Sequence, residues 1–144
     1  DFQNKNLRIL LDLQTAGGTV QKEEMSMTAE MIIRCMGANG RYAGYENMIS
    51  CLEIIRKNPR KLVALEKLVY VYVAEEEGVS LSCLERRLDL LVTLLTKTAK
   101  PSQWILLELN PNKKPSVGEF LEAVTWYLRQ IDCHRVSAKE WFNT

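Results

Sequence analysis

The chain has 144 residues, 47% hydrophobic and 26% charged, with 19 Lys and Arg against 18 Asp and Glu and one His. This composition excludes disordered, collagen-like and low-complexity classes, and the length, 1–144, suits one domain around one core. A formal charge of +1 supplies no whole-molecule field for nucleic acid or acidic lipid; no apolar run approaches the roughly 18 residues of a membrane span, and the first residues lack a signal-peptide layout.

Breakers fall at Gly17-Gly18, 37–44, Asn58-Pro59, Gly78, Pro101 and 110–115. Between them apolar residues recur at three and four, the period of a helix face. Helices are therefore predicted over 3–16, 20–36, 45–57, 59–77, 82–99, 102–109 and 116–134, with a short turn near 137–143. The abrupt start at Asp1 reads as a cut from a longer chain. The segment 45–57 carries its stripe on Tyr45, Met48, Leu52 and Ile55, and 59–77 on Leu62, Leu65, Val69 and Tyr72. Leu81, Leu84, Leu88, Leu91 and Leu95 form the next stripe, and Val117, Leu121, Val124, Leu128 and Ile131 the last. Residues 69–73 alternate like a strand, but the flanking helical period outweighs them. Segment 102–109 is too short and too apolar to show a period.

Helix starts are written as capping boxes at Ser82/Glu85, Ser116/Glu119 and Ser137/Glu140, and as an Asn58 cap followed by Pro59. Gly78 supplies a left-handed stop after Glu75, Glu76 and Glu77, whose charges oppose the helix dipole, so that end frays or meets cations. The expected fold is all-α, a single compact bundle of about seven helices. Segments 59–77 and 82–99, joined by a short loop, form its central antiparallel hairpin.

Cys35, Cys51, Cys83 and Cys133 contain no C-x-x-C pair and lie in apolar-rich helical segments, so they read as reduced core thiols in an intracellular protein. No metal or cofactor is expected. The single His134 falls at a predicted helix end, where a cation suits the dipole, and no nucleophile elbow accompanies it. The acids of 75–77 and 23–24 sit on polar faces, and no E-x-x-H spacing occurs. An enzyme is not expected.

Gly37-Ala38-Asn39-Gly40 joins two predicted helices ahead of Arg41. This G-x-x-G turn resembles the phosphate-clamping loop of KH-type RNA-binding modules over some twenty residues. That family packs its helices on a three-stranded sheet, which this chain lacks. The loop is also longer, so the tetrapeptide reads as a plain turn and no family is assigned.

Residues 41–67 are net basic and 71–95 net acidic. Arg56, Lys57, Arg60 and Lys61, joined by Arg41, form the candidate site for a phosphate or an acidic partner. On 82–99, Leu90, Val92 and Leu94 widen the apolar surface; that helix is either sandwiched in the bundle or covered by a partner. Trp126 is rotated off its stripe, which suits a partner pocket or cover by the turn bearing Trp141 and Phe142. Trp126, Leu90, Leu94 and Trp141 are thus the candidate protein-partner residues. The expectation is a non-catalytic protein–protein interaction domain, an adaptor or one that self-associates, without membrane contact. The alternative is a helical domain binding RNA or DNA through its basic patch, with Lys113 and Lys114 added.

Overall fold

The computed structural model describes residues 27–144. The helix predicted over 3–16 and the first part of 20–36 lie outside the described residues. Among the described residues the structure is all-helical, without strands. In chain order come α1 (Ala29–Cys35), α2 (Tyr45–Lys57), a 3-10 turn (Pro59–Ala64), a π-helical turn (Glu66–Tyr70), α3 (Val71–Glu77), α4 (Leu81–Thr98), α5 (Pro101–Leu106), α6 (Val117–Asp132) and α7 (Ala138–Phe142).

Local chemistry explains the boundaries. Thr28 caps α1, its hydroxyl accepting from the Met31 N–H, so this helix starts at Ala29 and does not run through from 20. Asn58 accepts from Arg60 N at 3.2 Å with Pro59 behind it, as the sequence reads. Ser116 and Glu119 close the reciprocal box at 3.1 and 2.8 Å, and the bond that the carboxyl accepts from Ser116 N, aided by the Ser116 hydroxyl, holds Glu119 below its usual range. Two expected caps differ. Ser80, not Ser82, caps α4 by accepting from Cys83 N, and Ser137 accepts from Lys139 N in place of Glu140 N.

Four helices end in the same Schellman geometry, a residue one or two positions past the helix taking positive φ while paired N–H groups reach back. These residues are Gly37 (φ 115°), Gly78 (68°), Glu108 (60°) and His134 (61°). Around His134 the bonds are His134 N to Ile131 O and Arg135 N to Gln130 O, at 3.0 and 2.8 Å. At Gly37 the stop is also a tertiary joint. Thr98 donates to Met36 O, and Gln103 donates through Nε2 to Cys35 O while its Oε1 accepts from Lys100 N. The α1 carbonyls, which lack helical partners, are thereby capped by the end of α4 and by α5.

The core follows the predicted stripes. Tyr45, Met48, Leu52 and Ile55 are buried on α2, Leu84, Leu88, Leu91 and Leu95 on α4, and Leu121, Val124, Leu128 and Ile131 on α6. The predicted hairpin forms, α3 packing on α4 across 78–80, while α2 is the hub that touches α1, both irregular turns, α3, α4 and α6. One register slips. Tyr72, predicted on the core stripe, is 57% exposed, and Tyr70 and Val73 are buried in its place. The wide π turn takes up one extra residue and rotates everything after it.

Buried hydroxyls and thiols carry a pH signature. Burial pushes Tyr45, Tyr70 and the Cys51 thiol each up to about 12, and raises Tyr127 as well. For Tyr45 the Glu30 carboxylate, which accepts its hydroxyl proton, adds to the effect, and Arg34 opposes it.

Two outcomes follow for stability. Groups with raised folded pKa values stabilise the protein fully below their unfolded values, so stability should hold to about pH 9 and fall as pH climbs toward 12. Denaturant midpoints taken with tyrosinate absorbance check this, and a flat profile would contradict it. At Gly78 an added Cβ meets nothing, so Gly78→Ala should cost only the left-handed penalty, about 1–2 kcal/mol. At Gly37 the Cβ would sit 2.3 Å from Thr98 Oγ1, so Gly37→Ala should cost more, and His134→Gly should stabilise by about 1 kcal/mol. Thermal melts of the three variants rank them.

Candidate functional site

The irregular turn after α2 and the outer face of α6 bound a cleft of about 300 Å³. Pro59 and Leu62 form one wall. Opposite them α6 contributes Glu122, Thr125, Trp126, Arg129 and Cys133, residues spaced so that they fall on one helical face. Gln130 and Arg135 close one end. The Schellman stop at His134 turns the chain so that Arg135 lies back over α6, its guanidinium 3.4 Å from Gln130 Oε1.

Arg56 ties the two walls together. It grips Asp132 with two nitrogens, at 2.8 and 3.3 Å, and donates a third bond to Met27 O. Aligned, bidentate and partly buried, it is a stronger tie than a typical surface pair. Arg56, expected as a ligand-binding cation, is thus a structural one. The remaining basic candidates divide. Lys57 and Arg60 are exposed beside Pro59, and Lys61 lies 6.0 Å from the Tyr72 ring, in cation–π range. Arg41 stands at the other end of α2, about 20 Å away by helical rise, and does not join them. Lys114 pairs with Asp89 at 2.8 Å.

The apolar candidates divide too. Trp141 is fully buried, its ring tilted on Tyr127 with centroids 5.5 Å apart, so it is core and not a partner contact. The tail turn therefore covers Tyr127, and Trp126, one residue round the helix, remains half-buried at the cleft. Leu94 packs against the core, and Leu90, although 56% exposed, does not line the cleft. Sequence reasoning missed Thr125, Arg129 and Arg135. The spacing of 122, 125, 126, 129 and 133 carries the face, but nothing in the sequence pairs it with Pro59.

Thr125 is the least expected member. It is 2% exposed, and its hydroxyl finds no hydrogen-bond partner. A buried polar group left so costs about 1–3 kcal/mol. A second cleft, of about 250 Å³ beside Tyr70 and Glu85, includes Asp89, already neutralised by Lys114. Among the described residues no group of His, Cys, Asp and Glu is placed to hold a metal ion. His134 is exposed at the end of α6, and Glu75, Glu76 and Glu77 are exposed at the end of α3. As anticipated, that acidic end meets a cation: Arg87 lies 3.6 Å from Glu77, which also accepts from Asn47 at 2.9 Å.

Set against protein-family models, characterised proteins and solved structures, the chain finds no significant match. Its own residues carry the functional argument.

Thr125→Val keeps the shape and removes the orphaned hydroxyl, so it should leave stability unchanged or raise it by about 1 kcal/mol. Urea midpoints measure this; a loss above about 1 kcal/mol would mean that the hydroxyl is satisfied within the fold.

Proposed function

We propose that this chain is a non-catalytic helical protein-interaction domain, and that the cleft between the Pro59 turn and α6 receives an acidic segment of a protein partner. The observation that carries this reading is the meeting of half-buried Trp126 with Arg129 and Arg135 around one concavity. Trp and Arg recur at interface anchors because they bury large area, or make several directed bonds, for few ordered rotamers. Glu122 is the acid on the rim, and it favours a partner carrying its own donors beside its carboxylates over a bare phosphate chain. The four free thiols accord with an intracellular setting, and among the described residues no helix is long and apolar enough to cross a membrane.

The test is fluorescence polarisation with a labelled oligo-glutamate peptide and a labelled single-stranded RNA, from about 50 to 200 mM salt. The peptide should bind, and binding should fall at least tenfold in Trp126→Ala and in Arg129→Gln/Arg135→Gln, with melting temperatures of the arginine variant unchanged. RNA binding lost in the same variants, without peptide binding, would replace this reading by the nucleic-acid one. Peptide binding indifferent to both variants would remove the cleft from the account.

A further inference from the structure

The helical stretch from the 3-10 turn through α3 carries its charges against its own dipole. Arg60 and Lys61 lie at its start, where the helix end is already positive, and Glu75, Glu76 and Glu77 at its finish, where it is already negative. The two ends are separated by about 28 Å of helical rise, well beyond the roughly 8–10 Å over which salt lets exposed charges interact. Within one molecule they do not neutralise each other. Glu77 is met by Asn47 and Arg87, whereas Glu75 and Glu76 are exposed at the tip of α3. The basic start stands beside the cleft, which Pro59 and Leu62 line, and the cleft itself carries Arg129 and Arg135 with Glu122. A net charge near zero, split into opposite poles, favours contact between unlike ends of like molecules.

We propose that the cleft receives the acidic tip of α3, Glu75 and Glu76, from a second copy of this chain. The inference rests on the reading of the cleft as a docking site for acidic protein segments and names the partner. Carboxylates of the incoming tip meet Arg129 and Arg135. Because the donor and acceptor surfaces differ, the contact is heterologous. It leaves a free cleft at one end and a free tip at the other, so copies add in an open row rather than closing as a symmetric pair.

The test uses the full chain in sedimentation velocity at rising concentration, at about 50 and 500 mM salt. The wild type should grow past dimers with concentration at low salt and return to monomer at high salt. Arg129→Gln/Arg135→Gln removes the acceptor, and Glu75→Gln/Glu76→Gln removes the tip; each alone should stay monomeric. Their equimolar mixture should assemble and stop at a one-to-one pair, because a single complementary contact remains between them. Both variants substitute exposed side chains, and circular dichroism melts check that both fold. A wild type that is monomeric throughout would overturn the inference. So would growth that persists in either variant, or a mixture that does not pair. If oligo-glutamate still binds the cleft while copies do not associate, the docking site stands and its partner is another protein; if neither occurs, both readings fall.

Discussion

The Arg56 guanidinium is the contact on which the geometry of the cleft depends. It sits at the end of α2, and hydrogen bonds from it reach the end of α6 through Asp132 and the entry to α1 through Met27 O. Two helix ends and a chain entry far apart in sequence are thus fixed at one point. Pro59, which follows within one turn, and Cys133, which follows Asp132 directly, inherit their separation from it. A lysine there would offer a point charge without the fork that grips both carboxylate oxygens, and the cleft walls would lose their register. The same residue also serves the dipole of α2, whose last turn carries Arg56 and Lys57 where cations are favoured.

The next helical stretch begins one residue later, and that closeness produces the basic corner. Cations that suit the end of α2 run on into Arg60 and Lys61, which do not suit the start of the following turn. Exposed charges misplaced on a dipole cost about 0.3–1 kcal/mol each. Inside the fold Asn58 meets part of that cost by accepting from Arg60 N, and Lys61 finds the Tyr72 ring. The corner is therefore built from ordinary helix-end chemistry applied twice in quick succession, with Lys57 and Arg60 left exposed beside Pro59.

How much of this was legible depends on whether a feature is local. The stripes of α2, α4 and α6 were, because a helix face repeats within the segment itself, and so were the Asn58 cap and the Gly78 stop. Tyr72 was misread because a π turn at 66–70 displaces the register, and its cause lies in packing on α2, not in spacing. The stops at Glu108 and His134 were invisible because neither is the glycine that normally marks a left-handed residue. Trp141 looked like a surface aromatic on a short tail, yet α7 folds back and lays it on Tyr127. Trp126 was recognised as off the stripe, but the wall opposite it comes from Pro59 and Leu62, more than sixty positions earlier in the chain. No periodicity within α6 points there.

Some departures from local preference lie at or beside that cleft. His134 adopts a left-handed conformation that a glycine would take more readily, and it does so to swing Arg135 over α6. Thr125 buries a hydroxyl with no acceptor, where a valine would pack without that loss. Trp126 keeps part of its ring in water while the comparable Trp104 and Trp141 are buried. The basic corner opposes its own helix dipole. Others lie away from the cleft, among them left-handed Glu108 and the buried polar atoms of Asn47 and Trp141 that lack a partner, and a sequence that specifies one structure breaks such rules mainly where something other than stability is being served. Each departure is small, of the order of 1 kcal/mol. A carboxylate-bearing segment laid across Trp126 would neutralise Arg129 and Arg135 and dry the indole at one stroke.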